Sequence, residues 1–234
     1  MIGLRKDLNE DSMNRIIAFD TPSRLSSQDK FEILLYIYKS SYGKDGLQKL
    51  ICGYGLDYLK GNGEESYYTI TEEDIDRIYT EESIFLTYED KIKILAQRIY
   101  QQYRGFGVID ELREMKIDGI SGGLSTFTRE GSQQETYDPW RSYYKRDNPY
   151  KNRNGPIDKG LLDVWIFYQG KTIRFDFLHF PSEKELIRVC KNIYRNNNPG
   201  LLSETKGYMV NDMKDGSRVV VFRPPVSYNW AFFV

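Results

Sequence analysis

Asp215-Gly216-Ser217-Arg218-Val219-Val220-Val221-Phe222-Arg223-Pro224-Pro225-Val226-Ser227 is the stretch from which the fold is read. Asp-Gly between apolar runs is the strongest short-range hairpin signal, because a type I′ turn demands positive φ at both central residues. The valine run that follows has the composition of a strand, and the Pro-Pro pair ends it. The hairpin sets Arg218 at the mouth of that strand and Arg223 at its far end. They are an odd number of positions apart, so regular strand geometry sends them to opposite faces. We read the chain as a domain that supplies an arginine to chemistry housed elsewhere.

Working outward, Gly207–Lys214 and Asn229–Val234 are the neighbouring strands. Upstream, Leu162–Tyr168 and Lys171–Phe177 are two strands joined at Gln169-Gly170. Ser182 and Glu185 form a capping box, and the helix they start carries Leu186, Val189, Cys190 and Ile193 on one face until Asn196-Asn197-Asn198-Pro199-Gly200 stops it. Before these strands lie a short helix over Ile109–Met115, the segment Ile117-Asp118-Gly119-Ile120-Ser121-Gly122-Gly123, and a long polar insertion over 129–160. The class is α+β, with a small N-terminal helical module followed by an antiparallel sheet with packed helices.

The helical module is residues 1–95, and the α+β domain is residues 96–234. Residues 1–25 are polar and broken by Pro22, which predicts a loosely attached arm. In Gln28–Ser41 the apolar residues Phe31, Leu34, Leu35 and Tyr38 recur with helical spacing. A short helix over Leu47–Cys52 follows, closed by Gly53 and Gly55, and Lys60-Gly61-Asn62-Gly63 is a loop. Thr71 caps a helix through Tyr79, and Thr87 caps a longer one with Ile92, Leu95 and Ile99 on one face.

The charge is nearly balanced, with 33 Lys+Arg against 34 Asp+Glu, but unevenly placed. Residues 1–120 are net −6 and residues 121–234 net +5, so an anionic ligand or partner suits the second half. Cys52 and Cys190 have no metal or redox spacing, and Cys190 falls on the apolar face of a helix, as a core thiol does. With His179 as the single histidine, neither a zinc site nor a Cys/His nucleophile has material to form. No apolar run approaches the roughly 20 residues that cross a bilayer, and no signal peptide opens the chain; both features predict a soluble, cytoplasmic protein.

Gly170-Lys171-Thr172 imitates the end of a phosphate-binding loop, but that pattern needs glycine where Trp165 stands and must open a helix rather than a second strand. Tyr137–Arg153 interleaves aromatic and basic residues, Trp140, Arg141, Tyr143, Tyr144, Lys145 and Arg146 at its centre. This is the composition of a protein interface and equally of a single-strand nucleic-acid surface. The acidic pairs Glu72-Glu73 and Glu81-Glu82 read as charges complementing helix dipoles. Arg218 and Arg223 remain as the candidates, because a guanidinium clamps phosphate oxygens bidentately.

Two stretches resemble a known family. Tyr103-Arg104-Gly105-Phe106-Gly107-Val108-Ile109 is similar to the opening segment of the type II/type IV secretion traffic ATPases, and Ile117-Asp118-Gly119-Ile120 to the strand after it. The likeness continues through Phe180-Pro181-Ser182-Glu183-Lys184-Glu185-Leu186, Leu202-Ser203-Glu204 and Asp215-Gly216-Ser217-Arg218 to Pro224-Pro225-Val226-Ser227. It is nearest to the CpaF branch that powers Flp/Tad pili and its Gram-positive conjugation relatives. It covers about 100–234, interrupted by the 129–160 insertion. The proline the family carries near Lys206-Gly207 is missing, as are the Walker motifs of the P-loop ATPase domain.

The resemblance implies a hexameric ring of two stacked layers, with nucleotide held between an N-terminal domain and a C-terminal ATPase domain. This chain corresponds to the N-terminal domain and is inactive alone, with no cofactor of its own; ATP and Mg belong to the full-length protein. Arg218 matches an arginine that reaches the γ-phosphate, and the family's second such arginine falls in the segment past Val234; Arg223 stays a secondary anion contact on the chemistry of its guanidinium alone. The implied partners are the chain's own ATPase domain, five further copies and membrane-bound secretion or conjugation proteins, at the inner face of the membrane; nucleic acid is not among them. Residues 1–95 are expected to dock membrane partners. The rival reading is a free-standing interaction module, nucleic-acid-binding or adaptor, using 137–153.

Overall fold

The computed structural model describes residues 9–60, 67–123, 162–227 and 229–234. The insertion and the aromatic-basic segment 137–153, with Trp140, Arg141, Tyr143, Tyr144, Lys145 and Arg146, lie outside the described residues, as do Gly61, Asn62 and Gly63.

The two hairpins read from sequence are present, with their turn chemistries exchanged. Strand β6 (Tyr208–Asp212) pairs antiparallel with β7 (Arg218–Phe222), Asp212 opposite Arg218. In the loop between them Gly216 alone takes positive φ, +86°, while Asp215 does not. The Gly216 N–H donates to Met213 O at 3.0 Å and the Met213 N–H to Ser217 O at 2.7 Å. This is a longer turn with a left-handed glycine, not the two-residue type I′ turn. The type I′ geometry occurs at Gln169-Gly170, with φ of 50° and 75°, between β4 (Asp163–Tyr168) and β5 (Lys171–His179). Gly170-Lys171-Thr172 is therefore a hairpin turn.

The strands form one eight-stranded sheet in the order β1-β2-β5-β4-β3-β8-β7-β6. Strand β3 (Gly119–Gly122) lies between β4 and β8 (Ala231–Phe233), antiparallel to both. The remaining two strands come from the region read as purely helical. Strand β1 (Leu59–Lys60) pairs antiparallel with β2 (Tyr67–Ile70), and β2 runs parallel to β5, Ile70 opposite Phe175. The sheet therefore crosses the boundary near residue 95. The class is α+β, with six α-helices among the described residues.

Helices α2 (Ser27–Tyr42), α3 (Gly46–Tyr54), α4 (Glu72–Glu81) and α6 (Glu183–Ile193) share one core with a single face of the sheet. On α6, Leu186, Val189, Cys190 and Ile193 are at most 1% exposed, against Val221, Phe232 and their neighbours. Burying each of the larger aliphatic side chains is worth roughly 1.5–3 kcal/mol. Ser182 Oγ accepts from the Glu185 N–H at 3.2 Å, but the capping box there is half formed, because the Glu185 carboxylate is taken by Arg188. Reciprocal boxes close Ser26/Asp29, Thr71/Asp74 and Thr87/Asp90, where the shorter aspartate does the work of glutamate.

Residues 9–25 are not a loose arm. They form α1 (Glu10–Asn14) and a short 3-10 turn (Pro22–Arg24), and Met13, Ile17, Phe19 and Leu25 are buried against Ile33, Ile94 and Leu95. Apolar side chains one turn apart at 13 and 17 fill the groove between α2 and α5 (Tyr88–Tyr103). The buried face of α5 is Ile94 and Leu95 rather than Ile92, Leu95 and Ile99; Ile99 is 51% exposed. The rest of that face is polar. Arg98 binds Asp29 at 2.7 Å and Glu32 at 2.6 Å on α2, and Gln101 donates to Glu32 at 3.1 Å. The expected helix over Ile109–Met115 is two 3-10 turns, Gly107–Ile109 and Leu112–Glu114. Glu72 and Glu73 open α4, where they complement its dipole, but Glu81 and Glu82 close it at the connection to α5, where acids oppose the dipole, and Glu82 is held by the Tyr38 and Tyr54 hydroxyls.

Candidate functional site: a cationic cleft at the hairpin mouth

The long hairpin loop brings Arg218 to a cleft of about 1110 Å³ whose lining includes Lys39, Lys44, Arg113, Lys116, Arg218 and Val234. Each cation is delivered by a different element. Lys39 comes from the last turn of α2 and Lys44 from the 3-10 turn after it. Arg113 sits on the second 3-10 turn, and Lys116 just beyond, where its N–H donates to Lys44 O at 2.9 Å. Arg218 opens β7, and β8 brings Val234 to the floor, its main chain bonded both ways to Ile120 at 2.9 Å.

Acids in and beside the cleft pair with four of these cations. Arg218 is 75% exposed and donates from Nε to Asp212 at 3.2 Å. Arg113 is the best-held cation, 18% exposed, paired through Nη1 with Asp215 and lying 4.8 Å from the Phe106 ring centroid. Its Nε is buried, with no hydrogen-bond partner among the described residues. Burial pushes the Asp215 carboxyl up, but the Ser217 N–H and hydroxyl and the Arg113 guanidinium outweigh it and hold Asp215 below its usual range. Lys39 lies 2.8 Å from Glu114 and 3.5 Å from Glu111. Burial lowers its ammonium, yet Glu114 and Glu111 raise it above its ordinary value. Lys116 is 72% exposed, 3.4 Å from Asp45. The lining brings five cations together beside Glu114, Asp118 and Asp215, with Asp212, Asp45 and Glu111 paired to three of the cations at its border; an anion would have to displace such pairs, and the exposed Arg218–Asp212 pair is the weakest of them.

Arg223 does not join this group. It lies past the other end of β7, over the Trp230 ring at 5.5 Å, with Nε donating to Pro224 O at 3.1 Å. Lys191 approaches the same ring at 5.7 Å. His179 is also elsewhere, its Nδ1 2.8 Å from the buried carboxylate of Asp163. Cys190 is fully buried, and desolvation pushes its thiol well above the ordinary range. Cys52 is exposed, with Sγ 3.4 Å from the Tyr168 hydroxyl.

Sequence reasoning found Arg218 and missed Arg113, Lys39, Lys44 and Lys116. The one available signal for Arg113 was a basic pair, Arg113 and Lys116, immediately before the first strand of the second half; its partner Asp215 is 102 positions away. No protein-family model matches the chain, and no curated protein matches it. No helix among the described residues is long and apolar enough to cross a membrane.

Proposed function

We propose that this chain is the nucleotide-clamping, ring-forming N-terminal domain of a hexameric traffic ATPase of the CpaF-like kind, powering secretion, pilus assembly or conjugative transfer. The observation that carries the reading is the convergence of Arg218 with Arg113, Lys39, Lys44 and Lys116 in one cleft. In this reading the cleft faces the P-loop ATPase domain of the same protein. The terminal phosphate of ATP bound to that domain enters the cleft, and Arg218 contacts its oxygens.

The chemistry asked of Arg218 is electrostatic. Phosphoryl transfer spreads negative charge over equatorial oxygens, and a guanidinium brought by a moving domain stabilises that charge as it develops. Arg218 is suited to move onto phosphate because its side chain is exposed and held by one exposed carboxylate, that of Asp212; such a pair is worth at most about 1 kcal/mol. Arg113, fixed by Phe106 and Asp215, is a second guanidinium held in place in the same cleft. Magnesium and the phosphate loop belong to the ATPase domain in this reading.

The experiment is enzymology of Arg218→Ala in the protein carrying its ATPase domain. We expect kcat to fall far more than nucleotide affinity, because a contact that strengthens with developing charge lowers the barrier while ground-state affinity comes from the phosphate loop. Arginines supplied to such sites are worth about 10³–10⁵ in rate in GTPase systems, and the loss here is smaller if Arg113 shares the task. Arg218→Lys restores little, since an ammonium lacks the bidentate fork. Normal kcat in Arg218→Ala, or a reading frame with no GxxxxGK[ST] motif after the Val234 codon, overturns the proposal.

A further inference from the structure

Among the described residues, strand β6 is an edge of the sheet, bonded to β7 on one side only. The Arg223 N–H donates to Gly207 O at 2.8 Å and the Met213 N–H to Ser217 O at 2.7 Å. In an antiparallel ladder these two bonds fix 207, 209, 211 and 213 as the positions bonded to β7. The main-chain groups of Tyr208, Val210 and Asp212 therefore point away from the sheet. Asp212 O is taken by Asn196 Nδ2 at 2.8 Å, and a bend closed by the Lys206 N–H on Ser203 O ends the edge on the other side. Among the described residues no hydrogen bond reaches the outward main-chain groups of Tyr208 and Val210.

The side chains at these positions are exposed as well, Tyr208 by 56% and Val210 by 50%, and Val226 beside them by 54%. They border a shallow groove of about 410 Å³ along the edge. An open edge with apolar side chains is a template for another strand. Proteins blunt such edges with prolines, bulges or inward-pointing charges, and Tyr208–Val210 has none of these.

We infer that this edge pairs with the same edge of a second copy of the chain, joining two sheets through a twofold axis beside Met209. The charge pattern selects both occupant and register. With the axis at Met209, Tyr208 lies opposite Val210 of the second copy, and the two exchange N–H···O bonds. An aromatic ring and a β-branched side chain then meet across the pair, a stabilising combination. The same register sets Lys206 opposite Asp212 of the second copy, opposite charges on each side of the axis. The adjacent registers are worse. An axis at Val210 sets Lys206 opposite Lys214 and Tyr208 opposite Asp212. An axis at Tyr208 sets Asp212 opposite Glu204 and Val210 opposite Lys206. The self-complementary strand makes an isologous contact that joins copies in pairs, a contact separate from the head-to-tail one of the proposed ring.

The test is the mass of the protein by sedimentation equilibrium over a range of concentrations, with a monomer–dimer equilibrium expected. Val210→Pro removes an N–H that β7 does not use, so it spares the chain's own ladder while deleting bonds of the dimer. It is expected to weaken dimerisation about tenfold or more, with one bond lost per copy. Lys206→Glu, an exposed change that leaves folding intact, is expected to weaken it about threefold, and Lys206→Glu with Asp212→Lys to restore it. A monomer at every concentration overturns the inference, as does a dimer indifferent to Val210→Pro. A dimer that responds to Val210→Pro but not to the charge exchange keeps the edge as the contact and overturns the register.

Discussion

Glu111 makes stability fall as pH rises. Its carboxyl is about nine-tenths buried, and burial is the main reason it is pushed up from 4.5 to about 7; Lys39, 3.5 Å away, pulls it down, while Glu32 and Glu114 push it up again. A carboxyl whose folded value lies above its unfolded one binds a proton more tightly in the native state. The stability that Glu111 contributes is therefore fully present below about 4.5 and is lost as pH rises toward 7. At about 1.4 kcal/mol per pH unit the interval corresponds to about 3 kcal/mol. The other shifted groups leave this window clear. Asp29, Asp74 and Asp215 are held below 3.8, so their contribution is already complete above it. Lys39 is held above 10.5, so its contribution is intact throughout. Asp176, raised by burial, acts in the same direction as Glu111 but is common to both proteins compared. Glu111→Gln keeps the shape and cannot ionise, and Lys39 keeps Glu114 at 2.8 Å. Urea unfolding at several values between pH 5 and 8 should show the natural chain losing about 3 kcal/mol and Glu111→Gln losing little of that. At pH 8 the variant should melt about 6–12 °C higher, at 2–4 °C per kcal/mol for a chain of this size. Parallel stability profiles for the two proteins would refute the reasoning.

Gln169 occupies a left-handed position at φ 50° in the β4–β5 turn, where asparagine is favoured beside glycine; Gln169→Asn is expected to raise stability by about 0.5–1 kcal/mol, checked by chemical denaturation. No GxxxxGK[ST] pattern is present in the chain, so by itself it is expected to turn over no ATP above a protein-free blank. Activity that co-elutes with the protein at constant specific rate through a further column would contradict that.

The hairpins and α6 were legible because their signals are local. Turn residues, a proline pair, and Leu186, Val189, Cys190 and Ile193 at helical spacing each act within a few positions. What stayed hidden depends on partners distant in sequence. Strand β2 is four residues long, and its place is set by parallel pairing with β5, across a separation no local pattern encodes. Ile99 has the spacing of a core residue and is exposed, because the neighbouring face of α5 is spent on the Arg98–Asp29–Glu32 network. The Ile109–Met115 segment has helical composition but becomes two tight turns, with the Asp110 carboxylate accepting from the Phe106 N–H at 2.9 Å. In the cleft, Arg218 could be found from its turn, whereas Arg113 becomes a site residue only when folding places Asp215 beside it.

The sheet order places β8 between β3 and β7, so the β6–β7 hairpin joins the rest of the ladder through three residues, Ala231, Phe232 and Phe233. Those residues also reach the chain's own strands on both sides, Phe232 opposite Gly122 and opposite Val221. Loss of this strand would separate the hairpin from the rest of the sheet without breaking either piece internally, which would set the order of openings that amide hydrogen exchange reads. The amides of β7 facing β8 would exchange together with those of β3 facing β8, in one event. Those of the β4–β5 turn would follow a different one. The arginine at the hairpin mouth would thus be released or held as a unit with its strands, its freedom metered by the shortest strand on the cleft side of the sheet.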